Sequence, residues 1–392
     1  MKLIKLKDAF KIRKGKKVEP VKVPGENTVR YIQIEDLRDN HNPKFCQMQE
    51  GYIYAKKDNI IIAWDGANAG TVSYGIEGVI GSTLAVLETD LEEIYTPYIG
   101  KFLQSKFQYL RNTSTGATIP HISRKALENL EIPLPEVEKQ KLISKTLDQA
   151  QELIDKRKSQ IEALDQLTQS VFLEMFGDPI TNPKGWKLAI CKDITSKIGS
   201  GATPIGGNAS YKQQGISLIR SMNVYNNSFN YSDLAFIDEE QAEKLKNVIV
   251  NKDDILLNIT GASVARSCIV PDDVLPARVN QHVSIIRVIK HLINPIFLSY
   301  MLTNESYQNY LLRLSTSGGA TREAITKKQI ENLPIIIPPL DLQEQFAIKV
   351  TKIEEQKSFI QKSIGEIENL FNSLMQKAFK GELFNEEKVP NL

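Results

Sequence analysis

Two kinds of hydrophobic pattern alternate along the chain, and they predict different structures. Short unbroken apolar runs such as Ile60-Ile61-Ile62-Ala63-Trp64 and Ile255-Leu256-Leu257 are bounded by Gly66 and Gly261. Runs of that length between turn residues predict strands buried on both faces. Elsewhere the apolar residues recur in a 3/4 rhythm. Leu147, Ala150, Ile154, Arg157, Ile161, Leu164, Thr168 and Val171 follow it, and so do Val350, Ile353, Lys357, Ile360, Ile364, Ile367, Phe371 and Leu374. Each series lies in a stretch rich in helix formers. Prolines precede the stretches (Pro133 and Pro135, Pro338 and Pro339), and the next ones are Pro179 and Pro390. Such a rhythm held over about four heptads predicts a long helix in a coiled coil. Arg157, Thr168 and Lys357 would be polar layers that fix register.

The two helical stretches belong to an internal repeat. Residues 114–140, STGATIPHISRKALENLEIPLPEVEKQ, align without a gap to residues 317–343, SGGATREAITKKQIENLPIIIPPLDLQ, and 12 of the 27 positions are identical. The offset of 203 continues into the helices, pairing Ser170 with Ser373 and Phe176 with Phe379. Upstream it drifts: Asp58–Ile62 resembles Asp253–Leu257 at 195, and Lys7-Asp8 resembles Lys192-Asp193 at 185. The chain therefore reads as two copies of one unit, each with a divergent α/β front and a helical back. The expected class is α+β, with two α/β domains in tandem and two long helices. The expected boundaries are a first domain at 1–135, a helix at 136–178, a second domain at 179–338, a helix at 339–383 and a tail at 384–392.

Chain length constrains how the helices pair. A helix over residues 140–176 spans about 55 Å, whereas the connection GDPITNPKGW from Gly177 to Trp186 reaches at most about 35 Å. A parallel pair would need the longer return, so an antiparallel coiled coil is expected. The two fronts would then lie at opposite ends of a spacer, like the jaws of a calliper. Two similar readers held apart in this way suit an extended partner such as DNA, whose turns repeat every ~34–36 Å.

Composition narrows the class without deciding it. The 392 residues are 41% hydrophobic and 24% charged, and no apolar run approaches the ~20 residues of a membrane-spanning helix. Met1–Lys5 leads into alternating charge with no apolar signal segment, and Cys46, Cys191 and Cys268 form neither a disulfide framework nor a metal knuckle. A cytoplasmic location is expected. Net charge is only +2, but residues 1–30 hold ten basic residues against three acidic ones.

Catalytic motifs are missing. There is no GxxxxGK[ST], HExxH or GxSxG sequence, and Gly199-Ser200-Gly201 runs into Pro204 instead of completing a dinucleotide loop. His41, His121, His282 and His291 lack metal-ligand spacing. Asn42-Pro43-Lys44-Phe45 and Asn294-Pro295-Ile296-Phe297 lack the second proline of a base-methyltransferase motif.

Binding candidates are better represented. In the basic segment, Lys11, Arg13, Lys14, Lys16 and Lys17 suit phosphate contact. The Gly-Ala-Thr loops, Thr115–Thr118 and Gly318–Thr321, offer hydroxyls and backbone donors beside Lys125, Arg322 and Lys328. A turn that caps the following helix is the other reading of these loops. For base contacts the candidates are Gln33, Arg38 and Asn68 in the first copy and Arg220, Asn223, Asn258 and Arg266 in the second.

Taken together, these residues resemble the specificity subunit of type I restriction-modification systems. The carriers are the motifs LENLEIPLPEVEKQ and IENLPIIIPPLDLQEQ, the Gly-Ala-Thr before each, and the linker GDPITNPKGWK. The first copy departs from the pattern at Glu136, where the second has Pro339. The resemblance implies a non-catalytic subunit with two target-recognition domains that reads an asymmetric, two-part DNA sequence. It implies docking of two methyltransferase subunits, with S-adenosylmethionine bound there, and of restriction subunits that use ATP and Mg; no cofactor or metal is expected in this chain. Alternatives are the recognition subunit of a modification-only or other two-part system, and a self-sufficient DNA-modifying enzyme.

Overall fold

The computed structural model describes residues 2–38, 42–116, 119–204, 206–316 and 323–384. The chain divides into two compact units, Met1–Lys158 with Lys362–Leu392, and Ser159–Gln361.

In the first unit one antiparallel sheet is ordered Lys11–Lys14, Leu84–Glu88, Ile60–Ala63, Val72–Tyr74. A second sheet is ordered Lys44–Gln47, Thr28–Ile32, Gly78–Ile80, Tyr54–Ala55, with its central pair parallel. Lys2–Lys5 pairs with Glu131–Leu134 in a separate ribbon. The strand Ile60–Ala63 is buried on both faces, as its unbroken apolar run predicts. Ile60 and Ile62 pack on Tyr98, Phe102 and Leu103, from the helix Thr96–Ser105, while Ile61 and Ala63 face Ile32 and Ile80 of the other sheet.

The second unit repeats this plan strand for strand. Its sheets are ordered Thr195–Ser200, Val283–Val288, Ile255–Asn258, Ser267–Ile269, and Ala235–Ile237, Ile216–Ile219, Ala277–Val279, Ile249–Val250. The central pair of the latter is again parallel, and Lys187–Ile190 pairs with Pro334–Ile337. The shared topology accounts for the drifting offset, since matching strands lie between loops of unequal length. One such difference is a hairpin in the second unit, Val224–Tyr225 with Ser228–Phe229. Helices in the fronts that the apolar pattern does not announce, Thr96–Ser105, Phe107–Asn112, Pro295–Thr303 and Glu305–Thr316, cover one face of a sheet in each unit.

A glycine lets the two sheets meet. A Cβ on Gly201 would lie 1.8 Å from the Val279 carbonyl oxygen, and one on Gly15 would lie 2.2 Å from that of Gly81. Both backbones pass too close for any side chain.

The long helices run Val137–Phe176 and Leu340–Lys380. None of the sixteen rhythm positions is exposed, whereas Leu153, Leu167 and Phe359 between them are. Within the second unit the helical segments are antiparallel: Asp165 pairs with Lys357 at 2.7 Å, and about two to three turns further along Phe172 meets Phe346. The first unit shows the same direction, with Lys158 bound to Glu368 at 3.1 Å and Leu147 in one cluster with Phe371, Leu374 and Ala378. Lys357 also binds Glu354, so this polar layer is satisfied. The connection after Phe176 is a helix stop: Gly177 takes φ +76°, Asp178 accepts from the Ile180 and Thr181 N–H groups, and Trp186 Nε1 donates to the Phe176 carbonyl.

Each long helix is locked to its front by a buried glutamine. Gln140 Oε1 accepts from the Tyr95 N–H at 2.9 Å, and its Nε2 donates to Glu93 O and Pro135 O. Gln343, 203 residues on, accepts from the Asn294 N–H at 2.9 Å and donates to Pro338 O at 2.8 Å. Both side chains are fully buried. Gln343→Leu keeps the bulk but leaves these backbone groups without partners, so it is expected to lower unfolding free energy by about 1–3 kcal/mol. Urea unfolding of the full chain measures this, and an unchanged value would refute the role of the amide.

Candidate nucleic-acid interface

In each unit the turn after the central buried strand is stitched to the segment that follows the Gly-Ala-Thr loop. Gly66 N–H donates to Pro120 O and Ile122 N–H to Trp64 O. The counterpart contacts are Gly261 to Glu323 O and Ile325 to Ile259 O. Thr115 and His121 exchange both backbone hydrogen bonds, closing the first loop at its base. Thr118, Thr321 and Arg322 lie outside the described residues.

The side chains around these turns differ between the units. In the first, Asp65 accepts from Lys14 Nζ at 2.7 Å and pairs with His121 Nδ1 at 2.6 Å. Burial raises the affinity of this carboxyl for a proton, but the Lys14 and His121 hydrogen bonds outweigh it and hold the pKa below the usual range. Arg38 donates to Asn68 Oδ1 at 2.6 Å, and Gln33 accepts from Lys44, which also pairs with Glu35.

In the second unit Thr260 replaces Asp65 in the stitched turn, and its Oγ1 lies 2.6 Å from His282 Nδ1. The Arg266 guanidinium stacks on the Tyr225 ring, 4.6 Å from its centroid. A cavity of about 550 Å³ is bounded by the Thr260–Ser263 turn, Met222, Tyr225, Arg266 and His282. Arg220 stacks on Tyr211 and donates to the Asp233 carbonyl, so it braces a loop.

Not every candidate faces outward. Asn223 is fully buried, caps the Arg220 N–H at 3.0 Å and donates to Asn230 O and Ser232 O. Asn258 is also fully buried and donates to Ser221 O at 2.8 Å. These two asparagines complete irregular backbone and cannot reach a base edge. The basic segment is also less available than its charge suggests, because Lys2, Arg13, Lys14 and Arg30 all face carboxylates. Lys11, Lys16, Lys17, Lys125 and Lys328 are exposed and make no ion pair among the described residues. Residues not singled out by the sequence, namely Asp65, Met222 and Tyr225, join the site, as do His121 and His282. A signal was present: the repeat places Thr260 opposite Asp65 and Arg266 opposite Thr71.

The described residues contain no cluster of three or more His, Cys, Asp or Glu able to hold a metal ion. No helix among them is long and apolar enough to cross a membrane.

The family model for the type I restriction modification DNA specificity domain matches residues 1–164 and 183–369. The chain is 25% identical to the type I restriction enzyme MjaVIII specificity subunit of Methanocaldococcus jannaschii, covering 100% of this chain and 93% of that one. It is 23% identical to the EcoBI specificity subunit of Escherichia coli, covering 93% and 82%. Among solved structures, it resembles a type I restriction-modification S subunit from M. genitalium with TM-score 0.58, 16% identity and 96% of each chain covered. A chain solved for complex assembly and conformational transition of the type I R-M system matches with TM-score 0.59 and 17% identity, over 97% and 98%.

Asn223→Ala is expected to cost about 1–3 kcal/mol of stability while leaving DNA affinity per folded molecule unchanged. Thermal unfolding and a DNA titration under folded conditions check this, and altered sequence preference would show that Asn223 does reach the nucleic acid.

Proposed function

The chain belongs to the type I restriction-modification DNA specificity family, and from that membership we propose that it reads an asymmetric two-part DNA target, one part per unit. It is the recognition component, not a catalyst. The observation that supports two-part reading is the repeat of one skeleton with different side chains at matching positions. Gln33, Asp65, Thr71 and His121 in the first unit stand where Arg220, Thr260, Arg266 and Ala324 stand in the second. A common frame with unlike donors and acceptors suits two unlike sequences. The long helices would set the gap between the two parts and, with neighbouring surfaces of the fronts, dock two methyltransferase subunits in the cytoplasm. S-adenosylmethionine would be bound in those partners, and ATP with Mg in restriction subunits where they join.

Co-expression with the methyltransferase partner and mapping of modified adenines tests the reading. Two unlike short sequences at a fixed gap are expected; a continuous or palindromic motif would refute it. Exchange of residues 1–135 for those of a relative is expected to change one part only. One heptad inserted at matched positions in both helices is expected to lengthen the gap and leave both parts intact. An unchanged gap would exclude the helices as its ruler.

A further inference from the structure

The cavity beside Tyr225 contains an arginine held ready for a ligand. The Arg266 guanidinium lies over the Tyr225 ring, 4.6 Å from its centroid, and a contact of this kind restricts where the fork can go. Among the described residues those donors have no hydrogen-bond acceptor, although Arg266 is only partly exposed. Its neighbours differ. Arg220 donates to Asp233 O, Arg278 to Ala242 O and Ala277 O, and Arg287 to both oxygens of Asp254. The same cavity is lined by the Thr260 hydroxyl and the His282 ring, joined at 2.6 Å, and by Met222 and Glu323. The site therefore combines a two-donor fork with a polar pair and room for a flat ligand edge.

Resting on the two-part reading above, we infer that Arg266 is the specificity-determining side chain of the second unit and that it reads a guanine. Guanine presents O6 and N7 side by side in the major groove, which a planar guanidinium meets with two parallel hydrogen bonds. The first unit has Thr71 at the matching place, with the same backbone hydrogen bonds around it: the Thr71 carbonyl accepts from Ala63 as that of Arg266 does from Asn258. Threonine has no fork, so the two units differ here in the base they can select. A phosphate also accepts two bonds from arginine, but such a contact would weaken binding to all sequences alike.

The test uses the full chain assembled with its methyltransferase partner. Exchange of residues 1–135 first shows which part of the target belongs to the second unit. Arg266→Thr, the residue found in the first unit, and Arg266→Lys, which keeps the charge but not the fork, are then compared with the parent. Their affinities are measured on duplexes carrying each single-base change in that part. Arg266→Thr is expected to lose about 10- to 100-fold discrimination at one guanine, and Arg266→Lys, whose ammonium can still donate to O6 or N7 without the planar fork, a smaller part of it; both keep the other positions and the other part of the target. Arg266→Lys keeps the aliphatic stem, so it carries the test if Arg266→Thr does not assemble. Unchanged discrimination, or an equal loss on every sequence with a shallower salt dependence, overturns the inference. A parent complex with no two-part motif overturns the two-part reading as well and is recognised before any variant is made.

Discussion

A fully buried amide fixes where each long helix begins. Gln140 and Gln343 each bridge the helix to a proline carbonyl just before it and to a backbone N–H at the start of a helix in the front. A buried amide without partners costs more than its hydrogen bonds contribute when made, so a one-residue slip of the helix is penalised at once. With the first turn held, the packing further along follows. In the second unit Phe172, Phe176, Phe297 and Phe346 then meet with ring centroids 4.7–5.8 Å apart, each such pair adding about 0.5–1.5 kcal/mol beyond area burial. The same lock places the Pro334–Ile337 ribbon strand, which pairs with the first strand of its own front. Helix phase and sheet position within a unit are thus one constraint.

That constraint explains which parts of the molecule could be read from the sequence. Strands covered on both faces appear as unbroken apolar runs, and Ile60–Ala63 and Ile255–Asn258 stood out for that reason. The helical seam was equally legible, because every rhythm position is buried or half-buried while Leu153 and Phe359 beside it are exposed. The repeated glutamine was visible as an identity, but its role depended on backbone atoms 45 and 49 residues away. Asn223 and Asn258 show the limit. Both resemble exposed polar residues, yet Asn258 is held by a carbonyl 37 residues distant, and no local pattern records that. The pairing of Lys14 with Asp65 hides in the same way, since each residue alone looks solvated.

Charge follows the same division between frame and site. The net charge of +2 gives little long-range attraction for a polyanion, and internal pairing withdraws several cations of the basic segment from any partner. The unpaired lysines that remain, such as Lys16, Lys17 and Lys125, are few and exposed, and such contacts position a backbone without reading it. Affinity from this chain alone should accordingly be modest, with a shallow dependence on salt.

The two units also show how one skeleton carries different chemistry. Asn59 and Asp254 occupy matching places, each capping a backbone N–H three residues before it. In the second unit the carboxylate also binds Arg287. In the first the amide is neutral, and Glu88 on the neighbouring strand pairs with Arg13 instead. The capping bond survives while the ion pair moves, because the cap completes the backbone and the charge does not. The same separation holds at the stitched turns. Their backbone bonds recur in both units, so the frame constrains the main chain and leaves the side chains at 65 and 260, and at 71 and 266, free to differ. If the turn side chains carry the reading, as proposed, a fold that is rigid in its backbone bonds and permissive at those positions can acquire a new target without losing stability, since the residues exchanged are not those that hold the frame.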